Sequence, residues 1–137
     1  MTGTTKVTLS EFEAMLIKDT QWILTKHAIT HKVSGLLAGQ VEHINGQFIQ
    51  PLLTLLPELS ACCPKLSKGE KYRDLPYVML DYPALFSKAD SFALRTMFWW
   101  GNFFSVTLHL SGKYKNAFGE QLTANLNKGN EGLYIST

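Results

Sequence analysis

Residues 95–110 read RTMFWWGNFFSVTLHL, from Arg95 to Leu110. Two runs rich in aromatic and β-branched residues flank Gly101-Asn102, a dipeptide suited to a primed two-residue turn, and the pattern predicts a β-hairpin. Such a turn would set Trp100 opposite Phe103, Trp99 opposite Phe104 and Phe98 opposite Ser105. Alternation then sorts the side chains into two faces. One carries Met97, Trp99, Phe104, Val106, Leu108 and Leu110 and reads as core. The other carries Thr96, Phe98, Trp100, Phe103, Ser105, Thr107 and His109, aromatic near the turn and hydroxylated farther away.

Working outward, Tyr77 to Tyr82 lies between Pro76 and Pro83 and predicts a short strand. Ser87 with Asp90 has the spacing of a helix start, predicting a short helix through about Leu94. With the hairpin these make a strand-helix-strand-strand unit. Tyr114 to Leu126 predicts a helix with Gly129 as its stop signal, and Leu133 to Ile135 is apolar enough for a last strand.

The first half has helical periodicity. Ser10 with Glu13, or Thr8 with Glu11, offers a capping box. Leu9, Phe12, Leu16, Ile23 and His27 fall on one stripe with Leu24 beside it, predicting an amphipathic helix whose stripe, His27 included, points at the core. From about Val33 a second helical stripe holds Val33, Leu37, Val41, Ile44 and Phe48; opposite lies a small-residue track of Gly35, Gly39 and Gly46. Asn45-Gly46 is a hairpin signal, so residues 41–50 keep two readings, helix or hairpin. Residues 60–75 read as loop from Pro64, Gly69 and clustered charge.

The expected fold is therefore α+β: N-terminal helices packed on a small antiparallel sheet that contains the strand-helix-strand-strand unit. One domain covers residues 1–137, with a helical half at about 8–57, a loop at about 58–75 and a mixed half at about 76–137.

Composition narrows the function classes. The net charge of +2 is too small to announce a nucleic-acid or membrane partner, and Arg73 and Arg95 are the only arginines. The basic run Lys65, Lys68, Lys71 and Arg73 has Glu70 and Asp74 beside it and reads as a solvated loop. Cys62-Cys63 lacks metal or redox spacing, and adjacent cysteines strain badly to form a disulfide, so two thiols in a reducing compartment are expected. The first nine residues have no apolar signal core and no run reaches the ~18 apolar residues of a membrane span. The expectation is a soluble, cytoplasmic protein without a cofactor.

The pieces KGE, LPYVMLDYP and TMFWWGNFFSVTLHLSG, within Lys68 to Gly112, resemble a bacterial domain family of unknown function. That resemblance covers about a third of the chain, and no activity comes with it.

Candidate chemistry is thin. His27 and His31 stand four apart, as metal-binding pairs do, but lack the intervening glutamate of the His-Glu-x-x-His motif and a third ligand; a core histidine and a helix-end histidine are the plainer readings, and no metal is expected. Strand 77–82 places Tyr77 and Asp81 on one side, where Asp81 could orient His109 as a general base. The candidate ligand or interface residues are thus Phe98, Trp100, Phe103, Ser105, Thr107 and His109 with Asp81 and Tyr77. The leading expectation is a non-enzymatic binding or interaction domain using the aromatic face, and the alternative is a small enzyme or ligand sensor built on His109 and Asp81. Three covers for the aromatic face stay open: the domain's own helices, a second copy of the chain, or a small molecule.

Overall fold

A computed structural model describes residues 6–126. The order is α1 (Glu11–Lys18), α2 (Thr20–Gly39), α3 (Val41–Ile44), a π-turn (Asn45–Ile49), α4 (Gln50–Leu52) and a 3-10 turn (Pro57–Ala61). Then follow β1 (Lys65–Tyr72), β2 (Leu75–Phe86), β3 (Ser91–Trp99), β4 (Phe104–Ser111) and α5 (Lys113–Leu126). The four strands form an antiparallel meander in the order β1-β2-β3-β4, so the fold is α+β with its helices mostly N-terminal.

Ser10 and Glu13 close the expected capping box on α1, each side chain taking the other's backbone N–H. Asp19 ends α1 and caps α2 by accepting from the Trp22 N–H at 3.0 Å. From α2 onward the Val33–Phe48 stripe does what its period predicts. Val33, Leu37 and Ile49 are buried, with Ile29, Val41, Ile44 and Phe48 packed against them. Residues 41–50 are helical, not a hairpin: Asn45-Gly46 sits in the π-turn, where the Gln50 N–H reaches back five residues to the Asn45 carbonyl. The extra residue precedes Pro51, which has no N–H to give an α-helical bond.

These helices and α5 cover one side of the sheet. Val78, Leu80, Tyr82, Phe92, Phe98, Leu108 and Leu110 face them, with Tyr114 and Phe118 of α5 stacked around Phe92. A bulge in β2 between Asp81 and Ala84, which holds the cis Tyr82–Pro83 bond, adds one residue and returns Leu85 to the covered side.

Five expectations need correction. No helix separates the strands at 87–94: Ser87 instead closes a turn, its N–H and hydroxyl both donating to the Asp90 carbonyl at 2.9 Å, and β3 begins at Ser91. The strand-helix-strand-strand unit is thus a run of strands. The loop expected at about 58–75 contains β1, joined to β2 by Arg73-Asp74, both left-handed at φ 48° and 69°, with Tyr72 opposite Leu75. That is a two-residue primed turn.

At Gly101-Asn102 the connection has three residues. The Asn102 N–H donates to the Trp99 carbonyl and Gly101, at φ 77°, takes the left-handed third place of the turn. Phe98 therefore faces Phe104, one residue from the expected register. Finally, the Phe12–Leu24 stripe does not reach the core: no residue of α1 is buried and His27 is exposed. His31 lies inside α2, not at its end. The strand expected at Leu133 to Ile135 falls outside the described residues.

Candidate functional site

The register slip divides the candidate residues between the two sides of the sheet, because shifting a strand by one exchanges its faces. Phe103, Ser105, Thr107, His109, Tyr77 and Asp81 fall on the side away from the helices. Cross-strand rows there run Gly69–Tyr77–Trp99, then Ser67–Met79–Met97–Ser105, then Lys65–Asp81–Arg95–Thr107, then Ala84–Ala93–His109. The sequence reading missed Trp99, Met97 and Arg95 on this side. Asp81 within an apolar strand was the available signal for Arg95, since a buried carboxylate calls for a cation.

The first row is built around Gly69. A Cβ at that position would stand 2.6 Å from the Tyr77 ring, so the ring occupies the space a side chain would need. Tyr72 joins it edge-on, and the Trp99 indole N–H donates to the Tyr72 carbonyl at 2.9 Å. The third row is ionic. Asp81 is 5% exposed, and its two oxygens accept from Arg95 Nε at 2.8 Å and Nη2 at 3.1 Å. That bond raises the guanidinium above its ordinary range, against the opposing effect of burial.

His109 lies on β4, exposed, with β3 between it and Asp81. Both Asp81 oxygens face Arg95, and no hydrogen bond joins Asp81 to His109 among the described residues. Nor do those residues contain a cluster of three His, Cys, Asp or Glu side chains fit to hold a metal. Cys62 and Cys63 are free thiols.

Phe98 and Trp100 take the helix side. There Trp22, Trp100, Phe98 and Phe104 form a chain of ring contacts, with centroids 6.2, 5.8 and 5.0 Å apart in turn. The chain links the N-terminal half of α2 to β4. Helices cover little at its end, for Phe104 is 48% and Val106 68% exposed. At its start lie exposed apolar residues of α1 and α2, Phe12, Met15, Ile17, Ile23 and Leu24.

Six of the eight candidates thus lie on β3, β4 or the turn between them, while Tyr77 and Asp81 stand on β2; six face one side of the sheet and two the other. β4 is an edge strand, and among the described residues no strand pairs with its outer backbone groups. The edges differ in chemistry. β1 carries Lys65, Lys68, Glu70 and Lys71, charges that discourage strand addition; β4, FSVTLHLS, has no Lys, Arg, Asp, Glu, Pro or Gly. No helix among the described residues is long and apolar enough to cross a membrane. Compared with known protein families, with characterised proteins and with solved structures, the chain matches none.

Proposed function

We propose that the protein is a non-enzymatic interaction domain that works as a self-associated assembly, with a second copy pairing along β4. The observation that carries this reading is the β4 edge, uncharged and without a strand partner among the described residues, at the end of a half-exposed aromatic chain. Unpaired strand edges accept another strand readily unless charge, proline or a cover prevents it, and β4 has neither charge nor proline. Two copies related by a two-fold axis would set β4 antiparallel to itself, and Phe104 and Val106 of each would meet their counterparts' surroundings.

The exposed apolar residues of α1 support the same reading. An eight-residue helix is marginal in water, and no residue of α1 is buried among the described residues. A partner that covers Phe12, Met15 and Ile17 would supply the packing it lacks. On the open sheet face, Asp81 and Arg95 neutralise one another, so burying that pair would leave neither of the two charges unmatched. The residues there are Tyr, Trp, Met and Arg, types enriched at the centres of protein interfaces.

Light scattering coupled to size exclusion tests the proposal. The wild type is expected to run as a dimer at micromolar concentration, and Val106→Lys and Phe104→Lys as monomers with unchanged circular dichroism. A wild type that stays monomeric at about 100 µM overturns it, as does a dimer indifferent to both substitutions.

A further inference from the structure

On the opposite edge of the molecule, α2 and β1 flank an open cleft of about 570 Å³. Its α2 wall is His27, Thr30, His31 and Ser34, positions i, i+3, i+4 and i+7 that share one side of a helix. This stripe is rotated away from the core stripe of Ile29, Val33 and Leu37, so it looks along the β1 edge and not into the core. The β1 wall is Leu66, Ser67 and Lys68.

The lining is one-sided in its chemistry. It holds the Lys68 ammonium, two imidazoles and the hydroxyls of Thr30 and Ser34, and no carboxylate. The nearest acid along β1 is Glu70, which binds Lys26 Nζ at 2.6 Å, one turn before Thr30 on α2. That ion pair ties α2 to β1 and takes the acid that could have neutralised Lys68. Among the described residues Lys68 makes no ion pair. A metal ion fits poorly: the cleft offers two imidazoles without a third ligand, and an ammonium beside them repels a cation. A tetrahedral oxyanion fits well, because it accepts hydrogen bonds on several sides and meets a positive charge on one.

We propose that this cleft is an oxyanion site that takes a phosphate dianion, free or as a monoester, between Lys68 and the His27–His31 pair. Lys68 supplies the charge, the Thr30 and Ser34 hydroxyls donate from one helix turn to the next, and the imidazoles complete the donor set. The site lies at the β1 edge and the proposed self-association at β4, so either can fail without the other.

The test titrates inorganic phosphate and phenyl phosphate into the full chain, followed by calorimetry and by NMR shifts of the lysine and histidine side chains. Saturable binding with shifts confined to His27, His31 and Lys68 is expected; tighter binding of phenyl phosphate would identify a monoester ligand, and tighter binding of inorganic phosphate the free ion. Lys68→Met should weaken binding about tenfold, the worth of one charge-assisted contact, and His31→Asn about threefold. Lys115→Met, a lysine change on α5, should leave it unchanged. The proposal is overturned if neither compound binds more tightly than chloride, if Lys115→Met weakens binding as much as Lys68→Met, or if zinc saturates the histidine pair where phosphate does not.

Discussion

Asp81 and Arg95 face one another across β2 and β3, and both carboxylate oxygens accept from the guanidinium. The pair is asymmetric: Asp81 is buried, whereas the Arg95 side chain keeps 43% of its surface in water. Arg95→Met would strand a buried carboxylate and should cost about 1–3 kcal/mol, less than for a fully buried pair because solvent reaches the site. Replacing both residues, Asp81→Leu with Arg95→Met, should recover most of that loss. Urea unfolding at constant m measures both, and a double variant no more stable than Arg95→Met contradicts the account.

Gly112 sits between β4 and α5 at φ 61°. A side chain there would strike Asp90 Oδ1 and the Ala89 carbonyl. Asp90 is also what starts α5, its Oδ1 accepting from the Lys113 N–H at 2.8 Å. Gly112→Ala should therefore lower stability by about 2–3 kcal/mol, from the left-handed backbone and the lost cap together. A thermal melt within a degree of wild type would contradict this.

The Arg73-Asp74 turn holds two residues with side chains in the left-handed region. Arg73→Asn with Asp74→Gly supplies residues that adopt such angles readily. The change forfeits the Arg73 guanidinium 5.9 Å over the Tyr72 ring, worth about 0.5 kcal/mol at an exposed site. Relief of backbone strain outweighs it, and a net gain of about 1 kcal/mol is expected, raising Tm by about 3–5 °C. A fall in Tm would show that the turn is not strained.

Tyr114 links stability to alkaline pH. Its ring is buried against Phe92 while its hydroxyl donates to Glu58 Oε2 at 3.2 Å. Burial first, and then the bond to Glu58, raise the phenol above its ordinary value of 10.0; the Lys113 ammonium opposes them. A pKa raised on folding means stability fully present below the unfolded value and lost as pH rises through the folded one. The wild type should therefore weaken above about pH 10 by more than Tyr114→Phe does, while the variant loses about 1 kcal/mol at neutral pH. Parallel pH profiles for the two would remove the explanation.

The features that were legible in the residues are those where one local rule had no competitor. Ser10 and Glu13 stand three apart before an apolar run and form the capping box; Val33, Leu37, Val41, Ile44 and Phe48 keep one period and reach one core. The misreadings come from residues that satisfy two rules. Ser87 and Asp90 have helix-start spacing, yet the same hydroxyl and carbonyl close a turn between strands. Gly101 suits either of two loop lengths, and choosing the shorter moved Phe98 and Trp100 to the wrong side while leaving Ser105, Thr107 and His109 on theirs. Lys65 to Tyr72 looked like loop because an edge strand is charged for solubility, not for want of pairing. The ion pair of Asp81 with Arg95 joins residues fourteen apart, and its recognition depends on the bulge that sets the β2 register.

Asp19 is a single residue between two helices, and no residue from 6 to 18 is buried. The consequence is a division of labour along the chain. Substitutions at Phe12, Met15 or Ile17 remove nothing from the hydrophobic core, so this segment can vary in sequence while the sheet and the later helices keep their packing.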